Sequence, residues 1–275
     1  MRNRYSSKAN AETAGKQAKA RRERITSKVY PLLAIGIILI AWELLSVFEI
    51  VPNFMLPSPV QMIQAFIEDF ATLMMHSATT LIEAVLGLVI GVSIGFAAAC
   101  IMDRYDGAYK ALYPLIVITQ TIPTVAIAPL LVLWFGYEMA PKIILVIIVT
   151  FFPIAVGVLE GFHSADRDAI NLLRSMGATD RQIFRHIKIP GALPQFFSGL
   201  RISVSYAIVG AVLAEWMGGF KGLGVYMTRV KKSFAYDKMF AVILLISVIS
   251  LLLIWVVNLA QKKAMPWRET RKWNE

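Results

Sequence analysis

The stretch GATDRQIFRHIKIPGALP (residues 177–194) is polar, basic and interrupted by Gly and Pro, yet it lies between two long apolar runs. With the preceding residues it has the pattern of two short helices joined by a turn. Gly177 stands where a left-handed residue commonly ends a helix. Pro190 and Pro194 are expected to close the segment and start the next apolar helix. The sequence therefore predicts a helix–turn–helix at 166–189 within an otherwise apolar chain.

Capping residues and apolar stripes mark the two arms of this insertion. Asp166 is the expected N-cap of the first arm, and Thr179 with Gln182 has the form of a capping box for the second arm. Arms this short do not form a stable domain, so their stripes must be buried against the membrane, the protein's own helices or a partner protein. The stripes follow helical spacing and comprise Ala169, Ile170, Leu173 and Met176 in the first arm and Ile183, Phe184 and Ile187 in the second.

Six apolar runs surround the insertion and predict the fold class, an all-α integral membrane protein with six transmembrane helices. The chain has 275 residues, of which 57% are hydrophobic, and a mean hydropathy of +0.62. A bilayer core requires about 20 apolar residues per helix, and backbone in lipid must form its hydrogen bonds internally. The predicted spans are residues 29–48, 77–101, 111–135, 140–161, 194–216 and 239–261.

The distribution of basic residues predicts the topology. The net charge is +10, and Lys and Arg accumulate on the cytoplasmic loops of membrane proteins. If the N-terminus is inside, the inner segments hold 21 Lys and Arg and the outer segments hold 6. Residues 217–238 contain 5 of those 6, fit the rule poorly, and are expected to form a short re-entrant or surface helix. Both termini are therefore predicted to be cytoplasmic, and we expect no nucleic-acid partner.

This topology divides the chain into three predicted regions. Residues 1–28 form a basic cytoplasmic tail, for which contact with anionic membrane lipid is a secondary interpretation. Residues 29–261 form the transmembrane domain, which includes the helices at 166–189. Residues 262–275 form a cytoplasmic C-terminal tail.

The third predicted span has the features of a solute path. Pro114, Pro123 and Pro129 interrupt it, and proline removes a backbone hydrogen bond and kinks a helix. Broken backbone at membrane depth is tolerated where it is buried or lines a cavity, and polar residues there mark pathways. For Gln120 a helix-packing role remains open. The candidate path residues are Thr119, Gln120, Thr121, Trp134, Glu215 and Trp216.

Other candidate sites are few. Glu215 lies at the outer end of the fifth span and is expected to be solvated or to pair with Lys221 or Arg229. The sequence shows no metal-ligand spacing, no nucleophile motif and no paired carboxylates within the predicted spans. It also lacks the G-x-x-x-x-G-K-[ST] phosphate loop, so we predict no metal, cofactor or nucleotide site in this chain.

The insertion resembles the cytoplasmic EAA loop of ATP-binding-cassette (ABC) importer permeases. In that motif E-A-A is followed after three residues by Gly and then, after nine more, by I-x-L-P; here nine residues separate Gly177 from IKIP. Asn171, Leu172 and Leu173 stand in place of E-A-A, so the contacts of the family's Glu have no direct counterpart. Four further stretches resemble the sulfonate/nitrate/taurine-type branch in the right order: FMLPSPVQMIQAF, TQTIPTVAIAPLLVLWFG, LPQFFSGLRIS and AEWMGGFKGLGVYM.

This resemblance implies a type I ABC importer permease in the bacterial inner membrane, with no catalytic activity of its own. It implies a second permease subunit, two cytoplasmic ATPase subunits that bind ATP and Mg²⁺, and an external solute-binding protein. A homodimer of permeases is expected, and a heterodimer remains the alternative. The helices at 166–189 are expected to dock on the ATPase and to couple hydrolysis to alternating access. The residues expected at this coupling surface are Arg167, Asp168, Asn171, Arg174, Gly177, Ala178, Asp180, Arg181, Phe184 and Pro190.

Two other classes of protein serve as alternatives. An ion-coupled secondary transporter needs ionisable relays in the membrane, and the spans offer mainly Glu43 and Glu83 near their ends. A membrane-embedded enzyme needs a catalytic cluster, which the sequence lacks. For the importer, the resemblance implies either a thiamine precursor or pyrimidine-like solute or a small organic anion such as a sulfonate. The aromatic residues of LWFGY and EWMGGFKGLGVYM favour the pyrimidine-like solute.

Overall fold

A computed structural model describes residues 29–31, 33–48, 52 and 55–267 of the chain. The predicted basic tail and the end of the predicted C-terminal tail lie outside these residues. The chain forms two compact units, Met1–Ala65 and Phe66–Glu275. Every regular element of the described part is a helix, as the apolar runs predict.

The helices are α1 (Val29–Val47), α2 (Pro59–Glu68), α3 (Phe70–Arg104), α4 (Asp106–Thr121), α5 (Thr124–Phe135), α6 (Met139–His163), α7 (Arg167–Ser175), α8 (Asp180–Ile183), α9 (Ile189–Met217), α10 (Leu223–Lys232) and α11 (Tyr236–Ala264). Within the described residues, five continuous helical segments are long and apolar enough to span a membrane. A sixth span exists if the bent pair α4 and α5 is counted as one. The predicted six-span, all-α fold is therefore confirmed.

In the first unit, two side chains of α1 donate hydrogen bonds to the backbone that precedes α2. The indole N–H of Trp42 donates to the carbonyl of Pro57 at 3.0 Å, and the Ser46 hydroxyl donates to the carbonyl of Leu56 at 3.1 Å. Ser58 and Gln61 form a reciprocal cap at the start of α2, with bonds of 2.9 and 3.2 Å. These side chains satisfy backbone groups that would otherwise be unpaired at a helix terminus.

In the second unit, α6 packs between α3 and α9. Gly87, Gly91 and Gly95 recur at four-residue spacing in α3, a pattern that predicts close helix contact, and all three are buried. A Cβ atom at Gly95 would lie 2.8 Å from the carbonyl oxygen of Phe151, and one at Gly87 would lie 3.0 Å from that of Ile143. The glycines therefore let the backbone of α6 approach α3.

The third predicted span is broken, as its prolines predict, but by one proline only. Helices α4 and α5 meet at an angle of 97°. Ile122, which precedes Pro123, is extended with ψ of 120°, because a residue before proline disfavours the helical conformation. Pro114 and Pro129 lie inside α4 and α5 without ending them.

The insertion forms the two predicted arms. Asp166 caps α7 and accepts a hydrogen bond from the backbone N–H of Asp168 at 2.9 Å. Gly177 has φ of +82°, the left-handed conformation predicted for the turn. Thr179 and Gln182 form the predicted capping box at the start of α8.

The second arm does not end before the fifth span. Helix α8 passes through a π-helical turn at Phe184–Lys188 into α9, so that Asp180–Met217 is one helix of 38 residues. The expectation that Pro190 and Pro194 separate the insertion from the span is therefore wrong. Pro190 lies in the first turn of α9, directly after the wider π turn. That turn accommodates a residue that has no N–H and whose ring crowds the preceding turn.

We predict that Gly95→Ala destabilises the protein, because the added methyl group meets the backbone of α6. Overpacking of this kind costs roughly 1–3 kcal/mol. Gly107→Ala is the matched control, since no atom lies within 4 Å of a Cβ at that helical position. The midpoint of thermal unfolding in detergent should fall for the first variant alone. Equal midpoints would contradict the close contact of α3 with α6.

Candidate functional site

A cleft of about 690 Å³ lies between the inner end of α3 and the two arms of the insertion. We call residues 166–189 the coupling loop. Among the described residues, the cleft collects six of the predicted coupling residues: Arg167, Asn171, Arg174, Asp180, Arg181 and Phe184. The other four lie elsewhere in or beside the loop, Asp168 in the first turn of α7, Gly177 and Ala178 between the arms, and Pro190 at the start of α9.

Two ion pairs connect the coupling loop to α3. The ammonium group of Lys188 lies 2.8 and 2.9 Å from the two carboxylate oxygens of Asp103, and the Asp103 side chain is only 7% exposed. Arg104 lies 3.3 Å from Asp180, and both of these side chains are exposed. Sequence reasoning missed Asp103, Arg104 and Lys188, although the charges of Asp103 and Arg104 just after the second predicted span were a signal. The partly buried pair is the stronger connection, because exposed pairs contribute little.

The two apolar stripes of the coupling loop have different environments. Ile183 is buried, and the ring of Phe184 lies 5.2 Å from that of Phe162 in α6. The second arm is therefore packed into the protein's own core. In the first arm, Ala169, Ile170 and Leu173 of the predicted stripe are partly buried. Met176 is 74% exposed, and Leu172, which lies outside the stripe, is 62% exposed. The surface of α7 consequently presents apolar side chains that a partner protein can bury.

The break between α4 and α5 lies beside a groove in the second unit. One cavity of about 490 Å³ is lined there by α4, α5, α6 and α9. A second cavity of about 310 Å³ shares Gln120, Phe152 and Tyr206 with the first. We call the two together the groove. Its polar lining residues are Thr119, Gln120, Thr124, Glu160, Gln195, Ser198 and Tyr206.

The structure places two of the six predicted path residues in the groove, Thr119 and Gln120. The hydroxyl of Thr119 donates to its own helix, at 2.7 Å from the carbonyl of Ile116. The amide of Gln120 is exposed at the break. Three others are exposed but are not among the lining residues, namely Thr121, Trp134 and Trp216.

Glu215, the sixth predicted path residue, is only 1% exposed and does not line the groove. It accepts a hydrogen bond from the Thr80 hydroxyl at 2.7 Å and one from the N–H of Gly224 at 2.6 Å. The expectation that Glu215 is solvated or paired with Lys221 or Arg229 is therefore wrong. The reason is that the segment after α9 folds back over this side chain.

A buried charge pair adjoins Glu215. Lys142 lies 3.1 Å from a carboxylate oxygen of Glu83, and both side chains are at most 3% exposed. The Glu83 carboxyl group adjoins that of Glu215. The expectation of no paired carboxylates within the spans is wrong, because the two acids come from helices far apart in sequence. Charged residues inside apolar runs were the signal, since such residues need partners.

This group of side chains holds the start of α10. The N–H of Gly222 donates to His76 at 3.0 Å, and that of Leu223 donates to Thr80 at 2.8 Å. With the bond to Glu215, three successive backbone donors at a helix N-terminus are satisfied by α3 and α9. We call the side chains of His76, Thr80, Glu83, Lys142 and Glu215 the outer cluster.

A second connection holds α10 to the beginning of α3. The Tyr226 hydroxyl donates to the carboxylate of Asp69, and Lys238 lies 2.9 Å from the same carboxylate. The hydrogen bonds from Tyr226 and Lys238 lower the pKa of Asp69 below its ordinary value. Within the described residues, no group of three or more His, Cys, Asp or Glu side chains is placed to hold a metal ion.

Comparison with known proteins identifies the class. Residues 87–265 match the family described as binding-protein-dependent transport system inner membrane component. The match covers more than half of the chain, and the chain therefore belongs to this family. It is the permease subunit of an ABC importer for small solutes, a multi-pass protein of the bacterial inner membrane. It is not catalytic, and a separate ATPase hydrolyses the ATP.

Individual relatives agree with this assignment. The formylaminopyrimidine transport permease protein ThiX of Halalkalibacterium halodurans is 35% identical over 87% of this chain and 96% of the relative. The taurine transport system permease protein TauC of Escherichia coli is 29% identical over 85% of this chain and 87% of the relative. The inward-facing MetNI methionine ABC transporter gives a TM-score of 0.55 at 20% identity, covering 74% of this chain and 97% of the solved chain. The solved structure therefore shares the fold.

We predict that Gly177→Val weakens docking of the partner ATPase, while Gly177→Asn largely retains it. No atom lies within 4 Å of a Cβ at this position, so the effect comes from backbone strain alone. The left-handed conformation costs a β-branched residue roughly 1–2 kcal/mol, which corresponds to about a tenfold loss of docking. Co-purification of the ATPase with the permease measures this. Unchanged recovery with Val would show that Gly177 is not at the docking turn.

A charge exchange tests the connection between the coupling loop and α3. Lys188→Asp places two carboxylates together and should lower the amount of solute moved per ATP hydrolysed in proteoliposomes. The lost charged hydrogen bonds are worth roughly 1.5–3 kcal/mol. Adding Asp103→Lys should restore the ratio. Arg104→Ala is the control and should change little, because the pair of Arg104 with Asp180 is exposed. If the double variant moved no more solute per ATP than Lys188→Asp alone, a role for this pair in coupling would be contradicted.

Proposed function

We propose that this permease imports a small pyrimidine-like solute, delivered by an external binding protein, by alternating access. The support is the 35% identity to the formylaminopyrimidine permease over most of both chains. The relatives whose names refer to taurine and aliphatic sulfonates are 29% and 27% identical. They support the alternative solute, a small organic anion.

The continuous helix Asp180–Met217 carries the proposed mechanism. Its inner end belongs to the coupling loop, its middle lines the groove through Tyr206 and Gly210, and its outer end carries Glu215. A displacement of α8 by the ATPase is therefore passed along one helix to the groove and to the outer cluster. Alternating access follows if this displacement opens the groove to one side and closes it to the other.

The proposed assembly contains two copies of this chain, two ATPase subunits and one external binding protein. In a single chain the groove lies at the surface, with Gln120, Tyr206 and Val209 exposed. A second copy packed against this face would enclose it. The exposed apolar side chains of Leu172 in α7 and of Met176 directly after it supply a surface for the ATPase.

ATP and Mg²⁺ are assigned to the ATPase subunits in this proposal. Nucleotide binding needs backbone N–H groups that cradle the phosphates, a Lys and a hydroxyl that binds Mg²⁺. The chain contains no G-x-x-x-x-G-K-[ST] sequence to supply them. The GGFKGLG stretch instead forms the turn before α10, where its N–H groups bind the outer cluster.

The outer cluster is the one observation that favours an ion-coupled transporter, since it buries two carboxyl groups and a His within spans. None of its side chains lines the groove. Its members bind one another or the backbone before α10, and they do not form a chain across the described helices. A structural role for the cluster therefore agrees better with the geometry than a proton relay does.

We expect that the purified chain in proteoliposomes shows no ATP hydrolysis and no concentrative uptake. Both should appear when the partner ATPase and binding protein are added, and an ionophore that collapses ion gradients should not abolish uptake. Hydrolysis and uptake are measured in the same vesicles. Uptake by the chain alone, driven by an ion gradient without ATP, would contradict the importer and show that the chain is a secondary transporter.

A further inference from the structure

We infer that an anionic phospholipid of the cytoplasmic leaflet binds beside the coupling loop. Its phosphate lies in the cleft between α3 and the loop, and one of its acyl chains lies in an apolar crevice next to that cleft. Both cavities are lined by α3 and by the long helix Asp180–Met217. The inference goes beyond the proposed function, since it does not depend on which solute is imported.

The apolar crevice has a volume of about 450 Å³ and lies between α3, α6 and α9. Its lining residues on α3 and α9 include Val92, Ser93, Phe96, Ile189, Leu193 and Phe196. Ser93 is the one polar side chain among the described residues that line it, and its hydroxyl donates to its own helix, at 2.7 Å from the carbonyl of Val89. The crevice therefore offers a hydrocarbon surface, which suits an acyl chain.

The cleft beside the coupling loop is positively charged. It is lined by four Arg, one Lys and two Asp. Lys188 pairs with Asp103, and Asp180 lies near Arg side chains of α3 and α7. Arg167 and Arg181 are exposed in the cleft and have no ion-pair partner among the described residues. Guanidinium groups bind phosphate through paired hydrogen bonds, and basic pockets between spanning helices on the cytoplasmic side bind anionic lipid headgroups.

The crevice and the cleft follow one another along the same two helices. On α3, Phe96 lines the crevice, whereas Cys100 and Asp103 line the cleft. On the long helix, Ala192 lines the crevice and Lys188 lines the cleft. Residues three or four apart lie on the same face of a helix. The two cavities therefore adjoin, and one molecule with a charged head and an apolar tail can occupy both.

The depths of the two cavities match the layers of a bilayer. Phe96 lies within the predicted span 77–101, and Asp103 and Arg104 lie just beyond it. Between Phe96 and Asp103 the helix rises about 10 Å. The polar headgroup layer on each side of the hydrocarbon core is roughly 5–8 Å thick. The cleft is therefore at the level of the headgroups when the crevice is at the level of the acyl chains.

A protein occupant fits this site less well than a lipid does. A second copy packed on the groove leaves the crevice accessible, because no described residue lines both the crevice and the groove. An acidic segment of the ATPase can reach the cleft from the cytoplasm, but it leaves the apolar crevice within the membrane empty. A phospholipid fills both cavities, and its phosphate contacts the coupling loop beside the pair of Lys188 and Asp103.

Native mass spectrometry of the complete permease–ATPase complex measures lipid binding. The complex is delipidated in detergent and titrated with dioleoylphosphatidylglycerol or with dioleoylphosphatidylcholine, which has the same acyl chains but no net charge. We expect a saturable site on each permease chain with a roughly fivefold higher affinity for phosphatidylglycerol. An excess of glycerol phosphate, which has the headgroup chemistry without the acyl chains, should not displace the lipid.

Variants assign the binding to the two cavities. Combining Arg167→Gln with Arg181→Gln removes two charges from the cleft, and Ser93→Phe fills the crevice. Each change should lower the affinity for phosphatidylglycerol roughly fivefold. All three positions are exposed, where substitutions change stability little. The controls are Arg185→Gln, at an exposed Arg outside the cleft, and Ser247→Phe, at an exposed Ser of α11 that bonds to its own helix as Ser93 does. Both controls should bind the lipid like the unaltered protein.

The mass of the complex in the same spectrum shows whether each variant is assembled. Equal binding of the two lipids, displacement by glycerol phosphate, or undiminished binding in either the double Arg variant or Ser93→Phe would overturn the inference. Phosphatidylglycerol that binds the permease alone but is released when the ATPase binds would also overturn it, because the ATPase would then occupy the cleft.

Discussion

The structure depends on the continuity of a single helix, Asp180–Met217, across a sequence that contains two prolines. A proline inside a helix normally removes a hydrogen bond and crowds the preceding turn. Here a π-helical turn at Phe184–Lys188 precedes Pro190 and widens the helix at that point. In the proposed mechanism, the second arm of the coupling loop and the fifth span consequently move together. If the helix were interrupted at Pro190, a displacement of the coupling loop would not be passed along it to the groove.

The two ends of that helix are held by different interactions. At the inner end, Phe184 packs on Phe162, and Lys188 pairs with Asp103 of α3. At the outer end, Glu215 binds Thr80 of α3 and the backbone before α10. Buried polar groups are costly unless they are satisfied, so the outer contacts define one position for the segment after the span. Both ends therefore act on α3, and the groove lies along the helix between them.

Local rules explain why much of the fold was predictable. The apolar runs predicted the spans, Asp166 and Thr179 predicted the helix caps, and Gly177 predicted the turn. Each of these features depends on only a few neighbouring residues. The continuity through Pro190 was not predictable in this way, since it depends on a π turn that no sequence pattern marks. The contacts of Glu215 were missed for another reason: its partners come from distant helices. Of the predicted path residues only Thr119 and Gln120 line the groove. Trp134 lies near the far end of α5, and Glu215 and Trp216 lie at the outer end of α9, beyond the groove.

The most direct test of the account is the length of the helix during the transport cycle. Spin labels at Arg181 in α8 and Met217 at the end of α9, both exposed, are separated by a helix rise of about 54 Å, within reach of pulsed electron paramagnetic resonance when Cys100→Ser removes the native thiol. If α8 and α9 move as one body, the distance distribution is the same with and without ATP in the complete transporter. A nucleotide-dependent shift would show that the π turn is a hinge and would contradict the account.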